Sequence, residues 1–137
     1  MADLLIYQLW SASGRDAAEG RTVFSKPGGG TRVGEKLSEL PLTLRSDPGE
    51  PGLESAPFVL AHSSGGDQSV FDNGLPLTAT EWIRAGELTH LTTSRHGAGL
   101  TGLPTAPAID NLILDGAVTA RWRRWSRRRT SAGPPCC

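Results

Sequence analysis

The first 116 residues contain no cysteine. No disulfide framework supports this part of the chain, and a reducing cytoplasm is the expected compartment. No run approaches the ~18 apolar residues that a membrane-crossing helix needs. The opening residues carry Asp3 and no basic stretch, so they do not read as a secretory signal. Large apolar side chains are also scarce. Leu, Ile, Val and Phe make up about 21% of the 137 residues, just above the ~20% below which disorder is the better expectation. At this length one domain with a modest core is the ceiling.

Turn-forming residues are abundant instead, with 17 Gly and 10 Pro. Such a composition favours short strands and many turns over a helical bundle. The zero formal net charge conceals a sharp division. Residues 1–116 carry 14 acidic and eight basic side chains, whereas residues 117–137 carry Arg121, Arg123, Arg124, Arg127, Arg128 and Arg129 and no acid. The body is −6 and the tail +6, a break that marks a segment of separate character. The chain is therefore divided into a helical lead-in (1–20), a β-rich body (21–116) and a disordered basic tail (117–137).

The apolar run from Leu4 to Trp10, with Asp16-Ala17-Ala18-Glu19 behind it, predicts an interrupted helix that breaks at Ser13-Gly14 and ends at Gly20. Lys26-Pro27-Gly28-Gly29-Gly30 reads as a flexible loop. Beyond it, apolar runs at 42–44, 57–61, 69–71, 80–84, 88–93 and 109–114 read as strands. Residues 47–52 form a loop by their own chemistry, and Asp72-Asn73-Gly74 offers a turn residue tolerant of positive φ. Ala85-Gly86 lies between two apolar runs at hairpin spacing.

Candidate chemistry is thin. Gly29 to Gly34 has the GxxxxG spacing of a P-loop, but Glu35 stands where the phosphate-binding Lys belongs and Leu37 where the magnesium-binding hydroxyl belongs. The histidines His62, His90 and His96 are not in HExxH spacing and have no flanking cysteine pair. On a strand, His90 and His96 would share a face about 20 Å apart. Ser63, Ser64 and Ser69 lie near His62 and Asp67 in sequence without a GxSxG elbow, which reads as a polar loop. In the tail, Arg121-Trp122-Arg123-Arg124-Trp125 interleaves cations and aromatics, a pattern suited to nucleic acid or an anionic surface. Val118, Ala120 and Trp122 also alternate as a return strand would. An Arg-rich, acid-free tail is equally what out-of-frame translation of GC-rich DNA gives. The closing Cys136-Cys137 is like the prenylated end of Rab GTPases, whose nucleotide motifs are absent here.

Several of these pieces occur in a familiar order. Glu19-Gly20-Arg21-Thr22-Val23-Phe24 leads into Gly28-Gly29-Gly30-Thr31-Arg32-Val33-Gly34-Glu35-Lys36. There follow Leu42-Thr43-Leu44-Arg45-Ser46-Asp47-Pro48, Val70-Phe71-Asp72-Asn73-Gly74-Leu75-Pro76 and Ile109-Asp110-Asn111-Leu112. Over about residues 15–116 this resembles the TldD/PmbA metallopeptidases, also called modulators of DNA gyrase, and specifically the first part of their β-rich C-terminal domain in PmbA (TldE-like) members. The resemblance implies a mainly β fold with a short N-terminal helix. In TldD-type members an HExxxH helix and a later cysteine hold zinc, with the glutamate as base. This sequence has no such motif, and it departs from the family pattern from Ala117 on. The resemblance therefore implies no catalytic, metal or cofactor-binding residue in this chain, with zinc in a TldD-type partner. PmbA-type members are expected to pair with that subunit and enclose a chamber for unfolded peptides. The expectation is a truncated PmbA-like subunit, inactive alone, with no membrane contact. The alternatives are a small β binding module whose basic tail contacts nucleic acid, and a remnant without selected function.

Overall fold

The computed structural model describes residues 2–64, 68–107, 109 and 111–116, with side chains from Tyr7 onward. The expected return strand at Val118, Ala120 and Trp122, like the rest of 117–137, lies outside the described residues. Among the described residues the architecture is a four-stranded antiparallel sheet with a few short helices, a small mainly β domain.

Helix α1 spans Ala2–Ser11 and α2 spans Gly14–Ala18. The predicted break between them has a physical cause. Ser13 turns extended and caps α2, its hydroxyl accepting from the Asp16 N–H at 3.0 Å. Gly14 then donates its N–H to the Thr92 carbonyl at 2.7 Å. A Cβ on Gly14 would stand 2.6 Å from Thr93 Oγ1 and 2.8 Å from Leu103 Cδ1, so only glycine admits this approach.

Strands β1 (Leu42–Ser46), β2 (Thr80–Arg84), β3 (Glu87–Leu88) and β4 (Ile113–Gly116) form one sheet in the order β3-β2-β1-β4. The β2–β3 hairpin turns at Ala85 (φ +49°) and Gly86 (φ +85°), the doubly left-handed pair of a type I′ turn. Its tip is seated in neighbouring chain. Gly86 donates to the Leu42 carbonyl (2.8 Å), and its own carbonyl accepts from Leu37 (2.7 Å) and Ser38 (3.2 Å). Leu44, Trp82, Ile83 and Leu88 of the sheet are buried in one core cluster with Leu9, Phe24, Leu91, Ala106 and Ile109.

Four of the expected strands are altered. Residues 69–71 are not a strand. Val70–Asp72 is a 3-10 turn, because the Ser69 hydroxyl accepts from the Phe71 N–H (3.2 Å) and the Ser69 carbonyl accepts from Asp72 (3.0 Å). Residues 57–61 run extended with a single bridge, Phe58 to Pro76. Within 88–93, the sheet keeps only Leu88. Thr89 and His90 both donate N–H to the Trp82 carbonyl and so end the ladder. At the last strand, pairing begins at Ile113 rather than 109, because Asn111 is held by the loop that follows β1.

Helix α3, Arg95–Thr101, was not anticipated. Ser94 caps it by accepting from the Gly97 N–H at 3.1 Å, and Gly102 at φ +74° closes it. His96 therefore sits on a helix, and the strand spacing expected between it and His90 does not apply. The Lys26–Gly30 stretch is a hydrogen-bonded turn. Lys26 donates to the Gly30 carbonyl at 3.0 Å, and Ser25 bridges Thr31.

Candidate functional site

The chemistry-bearing residues do not converge. His62 and His96 are exposed, and His90 places Nδ1 2.9 Å from the Glu81 carbonyl, a bond that fixes its ring. Among the described residues no group of three His, Cys, Asp or Glu side chains could hold a metal ion. A zinc ion with an open catalytic position needs three such ligands. The described residues do not fit one.

Ser63 is exposed, and the other two serines near His62 are occupied elsewhere. The Ser64 hydroxyl accepts from the Val70 N–H (3.1 Å) and Ser69 caps the 3-10 turn, while Asp67 lies outside the described residues. No bond to an imidazole activates either hydroxyl. The glycine turn offers no phosphate cradle, since Gly29, Gly34 and Glu35 spend their N–H groups on Lys26, Leu88 and Arg32 carbonyls. Glu35 lies 2.9 Å from Arg32 Nε and 3.2 Å from Lys26 Nζ. Hydrogen bonding to Arg32, then to Lys26, lowers its carboxyl pKa below the usual glutamate value.

The structure does build a polar clasp that the sequence did not reveal. Asp72 is 2% exposed. Its two carboxylate oxygens accept from the Arg95 backbone N–H (3.1 Å) and Arg95 Nε (2.9 Å), and the same guanidinium reaches the Phe71 carbonyl. This ion pair ties the 3-10 turn to the start of α3. Beside it lies an open groove of about 510 Å³ edged by Ser64, Ser69, Phe71, Ser94 and His96. The available signal was Asp72 in a turn and Ser94 before a helix, but nothing in their spacing links them.

Two asparagines make comparable clasps. Asn73 binds both the N–H (2.5 Å) and the carbonyl (3.1 Å) of Ala61 through its side-chain amide. Asn111 accepts from the Asp47 N–H (3.0 Å) and donates to the carbonyls of Asp47 (2.7 Å) and Leu53 (2.8 Å). Ser46, whose hydroxyl donates to the Asn111 carbonyl at 2.6 Å, accepts from the buried Trp82 Nε1–H at 2.7 Å. A small cavity of about 80 Å³ opens against Ser46, Trp82 and Asn111, and the buried Ser55 hydroxyl on its wall has no hydrogen-bond partner among the described residues.

These clasps hold a β-rich fold together without assembling an acid, base or nucleophile. A family model, the PmbA/TldA metallopeptidase C-terminal domain, matches residues 1–123. The chain belongs to this family. The match is wider at both ends than the 15–116 stretch on which the resemblance rested, taking in α1 and seven residues past β4. No curated protein and no solved structure matches the chain.

Proposed function

We propose that this PmbA/TldD-family chain serves as a PmbA (TldE-like) subunit of a cytoplasmic zinc metallopeptidase assembly that degrades unfolded peptides, and that it is inactive alone. The observation that carries this reading is the family match over residues 1–123, taken with described residues that do not fit a metal. A metallopeptidase needs a Lewis-acid centre and a base. A TldD-type subunit would supply both, with zinc as its cofactor, leaving this chain to shape the wall of the peptide chamber.

The test is metal analysis of the purified chain together with hydrolysis of an unfolded peptide, with and without a TldD-type subunit. The expected result is no stoichiometric zinc and no hydrolysis by the chain alone, and chelator-sensitive hydrolysis with the partner. Chelator-sensitive cleavage by the chain alone, lost on replacing His62, His90 or His96, would overturn the reading.

A further inference from the structure

Residues 57–61 form an open strand edge. On their inner side the backbone is fully engaged: Leu77 donates to the Pro57 carbonyl (2.9 Å), Val59 donates to Leu75 (2.9 Å), and Gly74 donates to Val59 (3.0 Å). Ala61 completes the row on the Asn73 amide. Alternation then turns the N–H and carbonyl groups of Phe58 and Leu60 to the opposite side. There they have no hydrogen-bond partner among the described residues. The side chains alternate likewise. Val59 and Ala61 are buried, at 3% and 7%, while Phe58 and Leu60 are 42% and 62% exposed.

The usual devices that blunt such an edge are missing. Residues 55–66 contain no Asp, Glu, Lys or Arg. Pro57 does not protect it, because its carbonyl faces the paired side and its missing donor therefore lies on that side too.

We propose that this edge pairs with the same edge of a second copy of the chain. An antiparallel pair about a two-fold axis at Val59 sets Phe58 opposite the second copy's Leu60, and Leu60 opposite its Phe58. Each opposed pair exchanges two N–H···O bonds, so all four outward donors and acceptors are satisfied reciprocally, an isologous contact. The two Phe and two Leu side chains gather on one face as cross-strand aromatic–aliphatic pairs. Charge favours this place of contact. The body carries 14 acids against eight bases, whereas the 55–66 stretch has no charged side chain and opposes no like charges across the pair. So short a strand buries less than the roughly 1,200 Å² of a stable interface, so the pair is weak, with dissociation on the order of micromolar.

Sedimentation equilibrium of the full 137-residue chain, under a reductant so that Cys136 and Cys137 do not cross-link, tests the pairing. The expected result is a reversible dimer that persists in about 0.5 M salt. Leu60→Lys and Phe58→Lys should each raise the dissociation constant about tenfold or more. Leu40→Lys, a change at another exposed leucine, should not. Circular dichroism establishes that each variant folds. A monomer at every concentration, a dimer indifferent to both edge variants, or association abolished by salt, as body-to-tail attraction would be, overturns the proposal. So does an edge occupied only by a TldD-type subunit, shown by Leu60→Lys abolishing that heteromer with no dimer of the chain itself. Loss of peptide hydrolysis in the assembly without change in the dimer would bear on the proposed function and not on this pairing.

Discussion

Asn111 offers a sharp test of how the end of the sheet is held, because its amide plays opposite roles at its two ends. Asn111→Ala removes three hydrogen bonds, to the Asp47 N–H, the Asp47 carbonyl and the Leu53 carbonyl. At about 1 kcal/mol net each, and discounted because the site is half-exposed and water can partly replace the amide, the loss is about 2 kcal/mol. For a domain of this size that corresponds to a fall in Tm of about 8 °C. Asn111→Asp keeps the shape and the acceptor for the Asp47 N–H. It turns the donor toward two carbonyl oxygens, at 2.7 and 2.8 Å, into an anionic oxygen. Two attractive contacts become repulsive, so at pH 7 this variant should be less stable than Asn111→Ala by about 1 kcal/mol or more. The ranking has a pH signature. Facing two carbonyls, the introduced carboxyl would have its folded-state pKa raised above the unfolded value of about 3.9. Its penalty is therefore present above the raised value and relieved as pH falls through it, when the protonated acid can donate again. Urea denaturation followed by circular dichroism, between pH 7 and pH 4, measures both effects. Equal or greater stability of Asn111→Asp at pH 7, or a gap from Asn111→Ala that does not shrink on acidification, refutes the geometry assigned to the clasp.

Gly86→Ala should be among the most damaging single changes: a Cβ there would lie 2.2 Å from the Ser38 carbonyl oxygen and 2.8 Å from that of Leu40, at φ +85°. A loss of about 3 kcal/mol or more is expected in the same denaturation assay, and a variant within 1 kcal/mol of the parent would show that the hairpin tip is not seated as described. Acid should weaken the fold. Glu19 (bound by Arg15), Glu35 (bound by Arg32) and Glu54 (bound by its own N–H and that of Gly52) all have lowered pKa values. A depressed carboxylate contributes stability above its unfolded value and loses it as pH falls through the folded one, so Tm should drop below about pH 4.5. Glu35→Gln should flatten that drop, and a Tm constant from pH 5 to pH 3 would contradict the ion pairing.

The parts of the fold legible in the sequence are those where side-chain pattern and turn chemistry agree. Residues 80–84, an apolar run bounded by turn residues, form β2 as expected, and the two-residue Ala85-Gly86 spacing located the hairpin even though alanine is a poor left-handed residue. Helix α1–α2 and its break followed from Ser13-Gly14, whose cap and close approach both require those residue types. Helix α3 was hidden because Gly97 and Gly99 lower helix propensity, and tertiary contacts outweigh that cost through the Asp72–Arg95 pair. At residues 69–71, β-favouring Val and Phe suggested a strand, while the decisive residue was Ser69, whose local bonds to Phe71 and Asp72 tighten the chain into a turn. Local side-chain bonds of this kind leave no periodic trace.

The family motifs were legible, yet their residues proved structural. An asparagine side chain carries the same donor and acceptor pair as a peptide group, so it can stand in for a missing strand residue. Asn73 does so for Ala61 and Asn111 for Asp47, each binding both the N–H and the carbonyl of its target. Asp72 likewise spends both carboxylate oxygens on Arg95. These are positions where the chain must turn away from the sheet while its backbone polar groups remain satisfied, and short polar side chains do that where a regular ladder cannot. Asp72, Asn73 and Asn111, three residues of the motifs on which the resemblance rests, thus solve a folding problem. The family match identifies the domain, and the proposal that a partner subunit supplies its chemistry is what the zinc and hydrolysis measurements put to the test.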